Sequence, residues 1–372
     1  MKIGEEVFMN PPLKYNFSFA GNHTVDILLD ISQITSFNYY FSSLTNLISI
    51  SFYPSFYKES IKDMKYFFYR CSSLISIDMN YFQSQNIIDM DNMFEKCYNL
   101  TFVNMSNFNA ENVKSMRNLF HSCHFLTSID FSNINNNNLV DMEGMFVGCF
   151  SLISLNLSKF NTGKVTNMNA LFRDCRLLTS IDLSNFDTKN VKEMANVLAG
   201  CFNITFLNLS NFNTKNVERM NDLFQMCKSL ISIDISNFDT QNVLDMNGMF
   251  WGCHSLEKIN VSIFNTKNVK YMIDMFCSCG SLKTLDLSSF NTENVIRFNS
   301  MFSGCQNLTS INISHFNTQN VERMEGMFSS CKNLKSINLP STISKKVRYM
   351  GCMFSSCSSL TSINISNFYI NN

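Results

Sequence analysis

The hydrophobic residues of this chain recur with a period of 26 residues. Cysteine marks the period most clearly, because it returns eleven times between Cys71 and Cys357 without an insertion or a deletion. Each of these lattice cysteines is position 0 of a repeat, and later positions are counted from it. Position 3 is Leu in every repeat except one, position 6 is Ile, Leu or Val, and position 11 is mostly Phe. The lattice cysteines are residues 71, 97, 123, 149, 175, 201, 227, 253, 279, 305, 331 and 357.

The spacing of apolar residues changes within each repeat and predicts two kinds of local structure. Positions 6 and 8 alternate with polar residues, as in a β-strand with one buried face. Positions 16, 19, 23 and 26 lie three or four residues apart, as on one face of a short α-helix. Asn at position 15, as in Asn190, is placed like a helix N-cap, and Gly at position 25, as in Gly200, suits the helix end.

Neither half of such a repeat can bury its apolar face alone, so the repeats must stack. We therefore predict an α/β fold, a leucine-rich-repeat-type solenoid of stacked strand–turn–short-helix units with a parallel β-sheet on one face. Residues 1–33 fit no repeat and are predicted to form an N-terminal cap, followed by one solenoid of about 12–13 repeats over residues 34–372. The last repeat stops after its strand half, and the core layer around Phe368 leaves two interpretations open, a self-association surface at the C-terminal end or a truncated chain.

Stacking turns equal positions into rows that run through the molecule. Position 11 predicts a buried row of aromatic rings, and position 0 predicts a row of thiols. Equivalent cysteines in a stack point the same way, which does not suit disulfide bonds, so we interpret them as small buried side chains. The central members of these two structural ladders are Phe186, Phe212 and Phe238, and Cys175, Cys201 and Cys227.

Position 7 holds a polar residue between two buried strand positions, so its side chain points to the outer face of the predicted sheet. Asp and Asn alternate along this row, the position-7 stripe, for ten repeats. Two interpretations stay open: a ladder in which each Asn amide meets the neighbouring carboxylate, or a surface that binds a partner protein or cations. The residues of this candidate binding face are Asp130, Asn156, Asp182, Asn208, Asp234, Asn260 and Asp286.

Composition and charge narrow the class of protein. The chain has 29 Lys plus Arg and 29 Asp plus Glu, and this zero net charge argues against a nucleic-acid partner and against a polybasic membrane anchor. No apolar stretch is long enough to predict membrane insertion. The sequence contains no familiar catalytic motif, and the cluster of His121, Cys123 and His124 lacks the further ligands of a zinc site. We therefore predict a protein that is not an enzyme, without catalytic residues, cofactor or metal.

The repeat resembles that of the BspA-like leucine-rich repeat surface proteins, as the segment 175–201, CRLLTSIDLSNFDTKNVKEMANVLAGC, illustrates. The resemblance extends over residues 34–372. It implies a curved or twisted solenoid, roles in adhesion and protein binding, and a location at the cell surface or outside the cell. The N-terminus lacks the apolar segment of an ordinary signal peptide, so a cytoplasmic scaffold or structural component of a larger assembly stays the alternative. In both cases the expected partner is a protein of unknown identity.

Overall fold

The computed structural model describes residues 2–3, 6–7, 25–26, 36–52, 61–80, 82 and 85–365. The strands among them are β1 (Lys2–Ile3), β2 (Glu6–Val7), β3 (Val25–Asp26), β4 (Ser49–Ile50), β5 (Ser76–Asp78), β6 (Phe102–Asn104), β7 (Ser128–Asp130), β8 (Ser310–Asn312) and β9 (Ser336–Asn338). β1 to β3 form an antiparallel sheet in the order β2-β1-β3, within the segment whose capping role stays a prediction. β4 to β7 form a parallel sheet in sequence order, and β8 pairs in parallel with β9.

The register of the parallel strands shows how the repeats are arranged. Ile77 in β5 pairs with Val103 in β6, and Val103 pairs with Ile129 in β7. Each step is 26 residues, so position 6 of one repeat lies beside position 6 of the next. Successive repeats therefore stack directly on each other, and the prediction of a leucine-rich-repeat-type solenoid with a parallel sheet is confirmed.

A second ladder of backbone contacts joins the repeats at position 18. Isolated parallel bridges link this position without a gap from Asp63 to Tyr349. Between β7 and β8 the predicted strand segment keeps its alternation, with Asn156 exposed between buried Leu155 and Leu157, but the described residues there are not paired as strands. Backbone pairing is thus most continuous at position 18, a feature that the hydrophobic pattern does not predict.

The short helix predicted in each repeat is wrong, because none of the described residues is helical. Positions 21 and 25 have left-handed backbone angles, as at Asn92 (φ 58°) and Lys96 (φ 62°), and a right-handed helix cannot contain them. The N–H of Asn92 donates to the carbonyl of Arg117 in the next repeat, at 2.7 Å. The N–H of Glu95, in contrast, closes a turn onto the carbonyl of Asn92, at 3.1 Å. Along this segment, every second N–H group bonds to the next repeat, and the N–H groups between them close turns within the repeat. This arrangement still places apolar residues that lie three and four apart in the core.

Asn at position 15 is consequently not a helix N-cap. The side-chain Nδ2 of Asn190 donates to the backbone carbonyl of Gly163 in the preceding repeat, at 2.8 Å, and Asn216 donates in the same way to Lys189, at 2.7 Å. This side chain satisfies a carbonyl of the neighbouring repeat and does not satisfy the N–H groups at the start of a helix. The described part of the chain also contains no helix of the length and hydrophobicity that a membrane crossing requires.

The core is a single cluster of buried residues that runs from Phe37 to Met353. The structure places the ladder residues Phe186, Phe212 and Phe238 in it, each at most 4% exposed. A second aromatic row forms at position 23, where rings such as Phe250 and Phe276 stack face to face with centroids 5.5 Å apart. Stacked rings of this kind bind successive repeats through both burial and ring–ring contact.

The lattice cysteines lie in the same core as free thiols. Each sulfur donates to the carbonyl at position 23 of the second repeat before it, as Cys201 does to Phe172, 29 residues earlier. Burial raises the pKa of these thiols, to about 11 for Cys71 and about 12 for Cys253. The buried thiol therefore fills space and also donates to a carbonyl that already accepts a backbone N–H, such as Phe172, which accepts the N–H of Cys175 at 3.1 Å. For the three named ladder cysteines the contacts are Cys175 to Phe146 at 3.3 Å, Cys201 to Phe172 at 3.1 Å and Cys227 to Leu198 at 3.3 Å.

Candidate binding face

The position-7 stripe lies on the surface of the solenoid. Asp182 is exposed, and both of its neighbours, Ile181 and Leu183, are buried. Of the seven predicted binding-face residues, Asp130 is half-buried and the other six are exposed. The stacking of repeats brings these side chains into one row, as the parallel pairing of Asn104 with Asp130 shows directly.

Each side chain of the stripe is fixed by its own backbone. Oδ1 of Asp182 accepts the N–H of Ser184 at 2.9 Å, and Oδ1 of Asn208 accepts the N–H of Ser210 at 3.1 Å. Asp and Asn both carry an oxygen at the right distance for this Asx turn, which accounts for the restriction of position 7 to these two residue types. Among the described residues of the stripe, this bond stays within one repeat and no hydrogen bond joins an amide to a neighbouring carboxylate as the ladder interpretation of the sequence expects. The bond recurs in ten repeats, at residues 78, 104, 130, 156, 182, 208, 234, 260, 286 and 312.

The hydrogen bonds also favour the charged form of three acids of the stripe, because they lower the pKa of each. The hydroxyl and the N–H of Ser184 lower the pKa of Asp182, and the N–H and hydroxyl of Ser236 lower that of Asp234. Ser288 lowers the pKa of Asp286 in the same way. From Asp182 to Asp286 the stripe therefore presents a carboxylate in every second repeat and a neutral amide in the repeats between them.

A second polar row, which the sequence analysis missed, lies inside the molecule at position 13. The hydroxyl of buried Thr188 donates to the carbonyl of Asn213 at 3.0 Å and accepts the N–H of the same residue at 2.8 Å. One hydroxyl thus satisfies both backbone groups of the next repeat. The available signal was the recurrence of Thr after Asn or Asp, as in Phe186-Asp187-Thr188. The buried threonines of this row are residues 162, 188, 214, 240, 266, 292 and 318.

The repeat that starts at Cys331 interrupts the stripe. It carries Asn338 at position 7, but position 9 is Pro340, which has no N–H to close the Asx turn. The backbone of Asn338 is still paired, because β9 lies parallel to β8. A shallow depression of about 360 Å³ opens at this point, lined by Ser314, Ile337, Asn338, Leu339, Pro340, Ser341 and Asn364.

The His and Cys cluster noted in the sequence is explained by packing. Cys123 is buried and donates to the carbonyl of Phe94, and the ring of His124 stacks on that of Phe150 with centroids 4.5 Å apart. Within the described residues no group of three or more His, Cys, Asp or Glu side chains is arranged to hold a metal ion.

Several solved structures of bacterial repeat proteins resemble this chain. A leucine rich cell surface protein from Faecalibacterium prausnitzii is 16% identical, with 79% of this chain and 84% of that chain covered and a TM-score of 0.38. A leucine-rich repeat protein from Eubacterium ventriosum is 18% identical, with 79% and 85% covered and a TM-score of 0.40. The leucine rich repeat protein of T. pallidum is 18% identical, with 56% and 78% covered and a TM-score of 0.33.

A similarity at this level of identity gives no information about the partner or the activity of this chain. The assignment of the fold rests on the register of the repeats. No enzyme family is indicated by these comparisons. The comparison with curated proteins found no relative of this chain.

The sequence itself carries a stronger family signal. The family model described as a Mycoplasma protein of unknown function, DUF285, matches residues 35–151, 125–206, 194–311 and 282–372. These overlapping matches extend over the whole repeat array. The chain therefore belongs to the DUF285 family.

Proposed function

We propose that this chain is a non-enzymatic repeat protein that binds other proteins through the position-7 stripe, in the manner implied by its resemblance to the BspA-like adhesion proteins. The observation that carries the proposal is the row of exposed Asp and Asn side chains, each held by an Asx turn. A side chain that is already fixed loses little conformational entropy when a partner binds. A carboxylate or amide that accepts one backbone N–H keeps further hydrogen-bonding capacity for the partner.

The test compares the binding of partner proteins by two variants whose net charge changes by the same amount. The stripe variant carries Asp182→Lys, Asp234→Lys and Asp286→Lys, and the control carries Glu218→Lys, Glu293→Lys and Glu322→Lys, whose side chains are exposed at other positions. We expect proteins captured by the purified parent chain to be lost with the stripe variant and kept with the control. Capture that is equal for both variants, with both folded by circular dichroism, would contradict the use of the stripe.

The location of the protein is a separate part of the proposal. A cell-surface position follows from the resemblance, and the cytoplasmic scaffold is favoured by the free thiols. Burial weakens that second argument, because the thiolate is the species that oxidises and the raised pKa of the lattice thiols suppresses it. Protease treatment of intact cells distinguishes the two, since a surface protein is digested and a cytoplasmic protein is not.

A further inference from the structure

Position 1 carries a column of stacked aromatic and cationic side chains on the surface. The ring of His124 lies 5.0 Å from that of Tyr98 and 4.5 Å from that of Phe150. The guanidinium carbon of Arg176 lies 4.2 Å from the centre of the Phe150 ring. The column continues through Phe202 to Lys228, whose ammonium lies 4.3 Å from the Phe202 ring. We call residues 98, 124, 150, 176, 202 and 228 the position-1 column.

The stacking decides what a partner of this column can contact. The Phe150 ring lies between His124 and Arg176, so both of its faces are covered and only its edge is available to a partner. Ring edges carry partial positive charge, and together with the cations they favour an anionic partner group. Covered faces do not offer the stacking platform on which nucleic-acid bases bind. Arg176 also lies 3.6 Å from Asp174 through Nε, which leaves its remaining N–H groups for a second carboxylate.

The column and the stripe share a period of two repeats. In the repeats that start at Cys123, Cys175 and Cys227, position 1 is His or a cation and position 7 is Asp. In the repeats between them, position 1 is aromatic and position 7 is Asn. Burial lowers the pKa of His124, so Arg176 and Lys228 supply the positive charge. A partner that meets both cations at once needs two acids separated by the height of two repeats, and a second copy of this chain has them in its own stripe.

Exposed apolar side chains fill the surface between the column and the stripe. They occur at positions 2, 4 and 5, one in each of seven successive repeats, and they are between 39% and 68% exposed. In later repeats the same positions carry charges, such as Glu257 and Lys283. An apolar row of this length with an aromatic and Arg-containing border is typical of a protein interface. Its members are Ile75, Phe102, Phe125, Ile153, Leu177, Phe206 and Ile231.

From these observations we propose that two copies of this chain form a two-fold dimer in which the position-1 column of each copy lies against the position-7 stripe of the other. A two-fold axis that runs along the stack, midway between the column and the stripe, makes both contacts equivalent, as an isologous interface requires. It pairs Arg176 with Asp182 of the second copy and Lys228 with Asp234 of the second copy. The apolar rows of the two copies then meet in the centre. The inference rests on the proposed function, because it uses the same stripe, and it names one partner for it.

A charge-swap experiment tests the dimer with purified full-length chains in analytical ultracentrifugation. The column variant carries Arg176→Asp and Lys228→Asp, and the stripe variant carries Asp182→Lys and Asp234→Lys. Each variant alone places like charges opposite each other, so its dimer dissociation constant should rise by about tenfold or more. In an equimolar mixture the Asp column of the first meets the Lys stripe of the second, and the native column meets the native stripe, so dimers should return. A control with Lys215→Asp and Lys267→Asp, both exposed at position 14, should dimerise like the parent.

The outcomes separate this inference from the proposed function. A monomeric parent chain, or a mixture of the two swapped variants that stays monomeric although both are folded, overturns the dimer. If stripe-dependent capture of other proteins persists in that case, the proposed function stands without the dimer. Conversely, rescue in the mixture supports the dimer even when no other protein is captured, because the sedimentation assay contains only this chain.

Discussion

At the scale of single residues, the polar side chains of the repeat are explained by the backbone groups they satisfy. The Asp or Asn at position 7 closes a turn, as Asp182 does with Ser184. Asn at position 15 donates to a carbonyl of the preceding repeat, and Cys at position 0 donates to a carbonyl of the second repeat before it. The hydroxyl of Thr at position 13 bonds to both the N–H and the carbonyl of one residue in the next repeat. Buried backbone groups must be paired, so a repeat without regular helices needs these side chains.

The threonine row gives a prediction at this scale. Thr188→Val keeps the shape of the side chain but leaves the part-buried N–H and carbonyl of Asn213 without this partner. An unsatisfied buried group costs about 1–3 kcal/mol, so two part-buried groups at the lower end of this range should reduce the free energy of unfolding by about 2 kcal/mol in urea titrations. Thr188→Ser retains the hydroxyl and should lose about 1 kcal/mol. Equal losses for the two variants would show that the hydroxyl contributes little.

At the scale of the element, the left-handed residues at positions 21 and 25 decide that each repeat turns and does not form a helix. From residue 122 to residue 330, position 25 also alternates between glycine and larger residues. Gly200 has φ 75°, and a Cβ placed there would lie 3.3 Å from the Cα of Asp174, the equivalent residue of the preceding repeat. Asp174 itself adopts φ 60°. A side chain in one repeat therefore lies against a glycine in the next, which produces a two-repeat period like that of the column and the stripe.

Two glycine substitutions test this account of the turn. Gly200→Ala adds a methyl group in a left-handed conformation beside Asp174 and should lower the free energy of unfolding by about 1–2 kcal/mol. Gly280→Ala is the control, because its Cβ would meet only the carbonyl oxygen of His254, at 4.0 Å. We expect it to change stability by less than about 1 kcal/mol, or to stabilise the chain. Urea unfolding followed by circular dichroism measures both, and a larger loss for Gly280→Ala would contradict the assigned backbone angles.

At the scale of the whole molecule, one core joins all described repeats, and the row of free thiols runs along it. Burial keeps the folded-state pKa of these thiols above that of the unfolded chain, with Cys253 and Cys331 both at about 12. The unfolded chain releases the same protons from about pH 8.5. The stabilisation is therefore complete below this pH and declines as the pH rises toward the folded-state pKa.

We accordingly predict that the molecule becomes unstable in mild alkali. Each lattice thiol should contribute a loss of about 1.4 kcal/mol per pH unit above about pH 8.5. Denaturant unfolding between neutral pH and about pH 9.5, under reducing conditions, measures this slope. A variant with Cys175, Cys201, Cys227 and Cys253 replaced by Ala has four of twelve lattice thiols fewer, so its slope should be about one third smaller whatever its stability at neutral pH. A parent and a variant with equal slopes would exclude the thiols as the cause.

The sequence by itself determined the stacking of this protein. A period of 26 residues without an insertion admits one register, and the pairing of Ile77, Val103 and Ile129 follows it. It also placed the position-7 stripe on the surface, because alternation in a strand separates buried from exposed side chains.

Only the tertiary structure decided what the second half of each repeat becomes. Apolar residues three and four apart fit one face of a helix, but they fit equally a chain of turns whose alternate N–H groups bond to the next repeat. Those bonds join residues 25 apart, such as Asn92 and Arg117, and become available only when two repeats are already stacked. The same holds for the position-1 column and for the hydroxyls of position 13, because contacts between repeats, and not any pattern within one repeat, bring their partners together.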